Sequence, residues 1–290
     1  MPIEVVSADS RQVYRRMDVG TGKASAEERR LVPHHLVDVV DPDERYHAAR
    51  FAREAEQAIV EIRGRGRWPV LVGGTGLYYR ALVRGLAPRP PADPGLREEL
   101  RQVAETEGPA ALHRRLAQRD PAAAARLAVN DVVRVTRALE VALLTGSPED
   151  PARARSWGNA SPRHPTLTVG LTMAREALYA VLDERVDRML SMGLLDEVRG
   201  LLDAGFGPDL PAMKGIGYRH LTPVLAGRIR LADAVIAMKG DTRRYARRQW
   251  TWFGREPGVT WVRIESSELA PALAQVNKLI ERTGLFDYPG

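Results

Sequence analysis

Hydrophobic and polar positions change rhythm along this chain. Near the start the apolar residues come in short β-branched bursts, and Ile3 to Ser7 reads as a strand. Pro33-His34-His35-Leu36-Val37-Asp38-Val39 reads as a short strand or loop. Its adjacent histidines point to opposite sides of an extended chain, which argues against a shared metal site. Phe51, Ala55, Ala58, Ile59 and Ile62 then recur at helical spacing, with Gly64 suited to the C-terminal cap. Trp68 to Val72 is a second strand, and Pro69 near its start is tolerated there. Strand and helix thus alternate, which implies a parallel sheet.

Pro88-Arg89-Pro90-Pro91-Ala92-Asp93-Pro94 breaks the pattern, and Asp93 with Pro94 reads as helix cap and first helical residue. Leu96, Leu100, Val103, Leu112 and Leu116 keep helical spacing. Asn130-Asp131 caps a helix from Val132 to Leu144, closed by Gly146. Ser147 to Pro165, rich in Pro, Arg and Ser, reads as a mobile loop. Leu167, Val169 and Leu171 alternate as a strand. Helices follow around Leu178 to Leu190, Leu194 to Ala204 and Ala232 to Phe253. Trp261 to Ile264 forms a last strand and Pro271 to Thr283 a closing helix. The expectation is an α/β fold: residues 1–92 a first part of the core, 93–150 a mostly helical insertion, 151–290 a second part of the core carrying basic helices.

Composition changes this picture little. At 44% hydrophobic and 28% charged, the 290 residues are ordinary for a soluble domain. The absence of cysteine removes disulfides and thiolate metal sites. No apolar run is long enough for a membrane span and no signal-peptide core opens the sequence, so a cytoplasmic protein without membrane contact is expected. Net charge is +6. That permits a polyanionic partner such as nucleic acid, though a GC-rich genome also enriches arginine.

The candidate chemistry sits in a few stretches. Val70-Leu71-Val72-Gly73-Gly74-Thr75-Gly76 is an apolar run, a glycine turn and a helix start. It reads either as a diphosphate-holding turn or as an ordinary strand-to-helix connection. It lacks the third glycine of the dinucleotide fingerprint. Asp9, just past the first strand, is either a catalytic carboxylate or a helix cap. Gly20-Thr21-Gly22-Lys23-Ala24 imitates the end of a P-loop, but Met17 and Ala24 stand where that motif needs Gly and Ser or Thr. Arg134 and Arg137 share a helix face that solvent alone would also explain. Arg243 with Arg247, and Arg244 with Arg248, are like charges four apart, which repel unless something favours them. Beside Trp250, Trp252 and Phe253 they suit a nucleic acid or a plain aromatic core edge.

Taken in order, several blocks resemble the bacterial tRNA dimethylallyltransferase (isopentenyltransferase) family. They are Ser7-Ala8-Asp9-Ser10, Tyr14 to Lys23, Pro33 to Asp38, Val72 to Tyr78, Asn130-Asp131 with Arg134 and Arg137 to Glu140, Gly215 to Arg219, and Tyr245 to Phe253. The resemblance implies a P-loop-kinase-like parallel sheet with flanking helices and a helical insertion. It implies transfer of a dimethylallyl group from dimethylallyl diphosphate to N6 of the adenine next to the anticodon in tRNA. By resemblance Asp9 is the general base, and Thr75 and Arg185, with Gly74 and Gly76, hold the diphosphate. Asp9, Ser10, Arg11 and Gln12 line the pocket of the flipped adenine. The anticodon stem-loop is implied to lie on Arg97; on Val133, Arg134, Val135, Thr136 and Arg137; on Lys214, Gly215, Ile216, Gly217, Tyr218 and Arg219; and on Arg247, Arg248, Gln249, Trp250, Thr251, Trp252, Phe253 and Gly254. Mg²⁺ is implied as a cofactor, and the expected state is a monomer.

The family pattern opens with a strand, a P-loop and a helix that precede the strand before Asp9, and this sequence does not contain them. That strand is central in the implied fold, so its neighbours are expected to have bare edges and exposed apolar faces. The P-loop supplies amides, a lysine and an Mg²⁺-binding hydroxyl. The expectation is therefore a late-assigned start codon and little or no transferase activity for the sequence as written. The alternatives are a non-catalytic tRNA-binding remnant and a nucleotide kinase-like phosphotransferase.

Overall fold

The computed structural model describes residues 2–86, 89–147, 161–265 and 269–284. The expected loop over Ser147 to Pro165 lies largely outside the described residues. The chain forms two compact units, one of residues 1–83 with 162–290 and one of 84–161.

In the first unit, strand β1 (Ile3–Ser7) is followed by helix α1 (Ala26–Leu31), strand β2 (His34–His35), helix α2 (Ala48–Gly64), strand β3 (Trp68–Val72) and helix α3 (Gly76–Val83). The three strands are parallel in the order β2-β1-β3. Ile3 faces Trp68 and Ser7 faces Val72, so β1 and β3 end level. β1 is central and buried from Glu4 onward. α2 buries Phe51, Ala55, Ala58 and Ile62, the stripe its spacing predicts. Phe51 stacks on Tyr78 of α3 at 4.4 Å between ring centres, which fastens α2 to α3. Gly64 is the last helical residue rather than the cap. Arg65 holds that place, and the chain reverses at Gly66 with φ 65°.

The same unit resumes with strand β4 (Thr168–Thr172). After two intervening helices and two that follow, described below, strand β5 (Val259–Arg263) pairs with it in parallel. Among the described residues the parallel strands fall in two groups, of three and two. Among the described residues β3 and β4 each pair on one side, and Val70, Val72 and Leu171 are exposed on them.

The remaining helices are α8 (Arg175–Ser191), α9 (Leu194–Asp203), α10 (Tyr218–Leu225), α11 (Leu231–Phe253) and α12 (Ala270–Thr283). Their core gathers Val186, Leu194, Val198, Leu221, Ala234 and Met238 around Val13, Tyr14 and Met17 of the segment after β1. The helices therefore reach the loop that carries Asp9 through apolar burial, the main driving force for such docking.

The second unit is helical: α4 (Pro94–Thr106), α5 (Pro109–Arg119), α6 (Pro121–Arg126) and α7 (Val132–Thr145). Asp93 caps α4 through Leu96 N–H, Asp131 caps α7 through Arg134 N–H, and Gly146 closes α7. The unit's boundaries fall at 83/84 and 161/162 rather than at 92/93 and 150/151. One reason is that the Pro90 carbonyl is held by the Arg137 guanidinium at 2.9 Å. Among the described residues no helix is long and apolar enough to cross a membrane.

Candidate active site

β1 ends at Ser7 and the chain turns at once. Ala8 N–H donates to the Val72 carbonyl at 2.7 Å, and the Ala8 carbonyl accepts from Thr75 N–H at 3.2 Å. These bonds lay the turn after β1 against the turn after β3. Ser10 N–H donates to Thr75 Oγ1 at 3.0 Å, and the Thr75 hydroxyl donates to Ser10 Oγ at 3.3 Å. Asp9 and Thr75 therefore stand side by side at the carboxyl end of a parallel sheet, where open α/β folds place ligand groups. Asp9 Oδ1 accepts from the N–H groups of Arg11, at 2.7 Å, and Gln12, at 3.2 Å. Asp9 caps a turn rather than the helix that the sequence offered as one of its two readings. One oxygen caps the turn, and Oδ2 makes no hydrogen bond among the described residues.

From this turn Gln12 reaches sideways. Its Oε1 accepts from Ser7 Oγ at 3.1 Å, and its Nε2 donates to the carbonyls of Thr21 and Gly22 at 3.4 and 3.3 Å. Gly22 has φ 61°, and a Cβ there would collide with Nη2 of Arg185. The exposed Arg185 of α8 thus lies on Gly22, beside the loop that Gln12 holds. Its guanidinium has no ion-pair partner among the described residues. A cation with open donors, on a loop that Gln12 ties to the turn of Asp9, is the chemistry a departing diphosphate needs. The P-loop-like Lys23 takes no part. Its amine is buried, 2% exposed, and donates to Tyr14 O, Asp18 and Asp38.

The glycine turn has a second reason for its glycines. Gln249 Nε2 donates to the Gly74 carbonyl at 3.1 Å, and a Cβ on Gly74 would strike that amide. A Cβ on Gly76 would enter the Trp252 ring. Trp252 also packs edge-on against Phe253 and Tyr79, with the Arg80 guanidinium 4.5 Å from its centre. The C-terminal end of α11 is thus seated on the turn, and close packing demands small residues there. Gln249, Trp252 and Phe253 are half-buried by this contact, while Arg247, Arg248, Trp250, Thr251 and Gly254 are exposed. Trp250, Thr251 and Gly254 line an open cavity of about 330 Å³ with Thr172 and Trp261, which holds none of Asp9, Thr75 and Arg185.

The like charges along α11 find partners. Arg243 pairs with Asp183 at 2.8 Å, Arg244 pairs with Asp241, and Arg248 lies over the Tyr245 ring at 5.4 Å. Arg247 keeps its guanidinium open to solvent.

The Lys214 to Arg219 turn requires a correction. Only Lys214 and Arg219 are exposed; Gly215, Gly217 and Tyr218 are buried and Ile216 packs on the core. Tyr218, 1% exposed, points inward, and its hydroxyl donates to Glu197 at 2.6 Å, so its side chain offers nothing to an RNA. Burial and the Glu197 carboxylate push its hydroxyl far above the usual phenol range. His220 Nδ1 accepts from Gly217 N–H, and its Nε2 meets Asp241 at 3.0 Å. Burial holds this imidazole below its ordinary value, against the pull of Asp241. Arg219 shares the same Asp241. Arg11 closes the arrangement by donating to the Pro211 carbonyl at 2.7 Å.

In the second unit, Val135 is fully buried in the helical core, which removes it as an RNA contact. Val133 and Arg134 are exposed and Thr136 is half-buried. Arg97 binds both oxygens of Glu140 at 2.9 Å, and Arg137 binds the same carboxylate. Burial alone would raise the Glu140 carboxyl; the two arginines and Asp93 N–H outweigh it and lower it.

Sequence reading missed the acidic anchors Glu140, Glu197 and Asp241. Each looks locally like one charge among many on a helix. Its partners lie 21 or more residues away in at least one case, which no helical spacing signals.

Comparison with known proteins identifies the family. Residues 12–256 match the family described as IPP transferase. The tRNA dimethylallyltransferase of Geobacter sulfurreducens is 51% identical over 259 residues, covering 89% of this chain and 83% of that protein. That of Thermomicrobium roseum is 50% identical, covering 89% and 78%. Among solved structures, the full-length tRNA isopentenylpyrophosphate transferase of Bacillus halodurans is 39% identical with a TM-score of 0.70, covering 99% of this chain and 91% of that one. A eukaryotic dimethylallyltransferase acting on tRNA has a TM-score of 0.79 at 28% identity, covering 99% and 74%. A match across most of its length, with relatives half identical over most of both chains, means that this chain belongs to the IPP transferase family.

Proposed function

We propose that the chain transfers a dimethylallyl group from dimethylallyl diphosphate to N6 of the adenine beside the anticodon in tRNA. The observation that carries this reading is the union of Asp9 and Thr75 through Ser10, with Arg185 on the loop that Gln12 holds. The adenine N6 attacks the terminal allylic carbon, and a carbon–nitrogen bond forms as the carbon–oxygen bond to diphosphate breaks. The electron pair leaves with the diphosphate, towards Thr75 and Arg185. The N6 proton passes to Asp9 Oδ2, the oxygen not used in capping. Lys214, Arg247 and Arg248 are exposed cations available to stem-loop phosphates.

Mg²⁺, which the resemblance implies, would here have Asp9 as its one acidic ligand from this site. No three acidic or histidine side chains gather into a metal group among the described residues. Magnesium at such sites leans on substrate phosphates. These residues alone do not make its cradle, and no step runs through it.

The test is incubation of the chain, preceded by the strand, P-loop and helix of the family pattern, with labelled dimethylallyl diphosphate and unmodified tRNA, with the product nucleoside identified by mass spectrometry. N6-dimethylallyl adenosine at the position next to the anticodon is the expected product. Tight tRNA binding with no transfer would favour the tRNA-binding remnant, and phosphorylation of a nucleotide would favour the kinase-like alternative.

A further inference from the structure

Glu197 stands in the first turn of α9, and its side chain reaches off that helix to another loop. Its Oε2 accepts from the backbone N–H groups of Asp18, at 2.8 Å, and Val19, at 2.7 Å. Its Oε1 accepts from Gly20 N–H at 3.0 Å and from the Tyr218 hydroxyl at 2.6 Å. One carboxylate therefore satisfies three consecutive amides of an irregular loop, a strong, charge-assisted arrangement. The loop is built around this grip. A Cβ on Gly20 would stand 2.6 Å from the Tyr218 hydroxyl and 2.7 Å from Leu194 Cδ1. Lys23 pins the far end to Asp18 and Asp38. Two residues beyond the caged amides is Gly22, on which Arg185 lies and to whose carbonyl Gln12 donates.

We propose that Glu197 is a positioning residue for the donor site. By caging the amides of Asp18, Val19 and Gly20 it fixes Gly22, and through Gly22 it sets the place of the Arg185 guanidinium relative to Asp9 and Thr75. The Tyr218 bond makes the same carboxylate the joint between this loop and the Lys214 to Arg219 turn. This inference rests on the reading of Arg185 as a diphosphate-binding group.

Glu197→Gln keeps the shape, but its amide nitrogen would face backbone donors. In the full chain the amides of residues 18–20 should then exchange with deuterium faster than in wild type. The kcat/KM for dimethylallyl diphosphate should fall roughly 10- to 100-fold, as expected when a reacting group is misplaced. Arg185→Gln should cost about 10²- to 10³-fold, the loss of a donor to the leaving charge. The deciding measurement is the double variant. If Glu197 acts through Arg185, Glu197→Gln lowers kcat/KM by less than about twofold once Arg185 is already replaced. Losses that multiply, or a Glu197→Gln protein within about twofold of wild type, overturn the proposal and leave the proposed function standing. Should Glu197→Gln not fold, Gly22→Ala puts a methyl against the same guanidinium and must show the same non-additivity. Protein preceded by the strand, P-loop and helix of the family pattern that still transfers nothing overturns the donor-site reading and this inference with it, and all the rates above are read on that protein.

Discussion

At the scale of single residues, the site is made of groups with two duties. Asp9 caps its own turn with one oxygen and presents the other. Substitution can separate these duties. Asp9→Asn keeps an acceptor for the amides of Arg11 and Gln12, so its melting temperature should stay close to wild type. It removes the base, and turnover should fall roughly 10²- to 10⁴-fold in the labelled transfer assay. Asp9→Ala should lose the same activity and also about 1 kcal/mol of stability, read by urea unfolding. Equal activity of Asp9→Asn and wild type would take the base role from this residue. Thr75 shows the same doubling, since its hydroxyl both accepts from Ser10 N–H and donates to Ser10 Oγ. The position of Asp9 past a strand was legible in the sequence because strand ends and Asp turns are local signals. Its neighbour Thr75 was legible because the turn after β3 is equally local. What joins them, the Ser10–Thr75 contact 65 residues apart, is set only by parallel pairing.

At the scale of elements, α11 explains why the glycine turn is rich in glycine. Gly76 is helical, so an alanine there strains no backbone, and its nearest obstacle is the Trp252 ring. Gly76→Ala should therefore cost about 1–3 kcal/mol by overpacking, and less than about 0.5 kcal/mol when introduced into a Trp252→Ala protein. Equal costs in both backgrounds would remove the packing explanation. The α10–α11 joint carries a pH dependence. His220 is held neutral by burial, between Asp241 and the charges of Arg219 and Arg244. Its folded value lies below its unfolded value of about 6.5, so the unfolded chain takes up the proton first. Stability should accordingly be full above about pH 6.5 and fall as the pH drops below it, and His220→Gln should flatten that part of the curve in urea titrations. Helix boundaries were well read where caps are local, as at Asp93, Asp131 and Gly146. Tyr218 and Val135 were misread as RNA contacts because a basic turn and a basic helix look exposed in sequence. Burial is decided by elements far along the chain.

At the scale of the whole molecule, a net charge of +6 says little until the charges are sorted by partner. Arg97 and Arg137 share Glu140, Arg219 and Arg244 share Asp241, and Arg243 holds Asp183. These arginines brace helices. Arg247 and Lys214 have exposed side chains and enter no ion pair among the described residues. Binding to a polyanion draws its salt dependence from the counterions released, about 0.9 per neutralised phosphate. An arginine already neutralised by a buried carboxylate releases fewer of them when RNA arrives. Arg247→Gln and Lys214→Gln should each lower the slope of log affinity against log salt for an anticodon stem-loop by about 1, without changing the unfolding midpoint. Arg97→Gln should do the reverse. It leaves the slope nearly unchanged and destabilises the second unit by roughly 1–3 kcal/mol, because it strips donors from a fully buried Glu140. Should Arg97→Gln instead lower the slope by a full unit at unchanged stability, its guanidinium leaves Glu140 for a phosphate when RNA binds, and the bracing role assigned to it here is wrong.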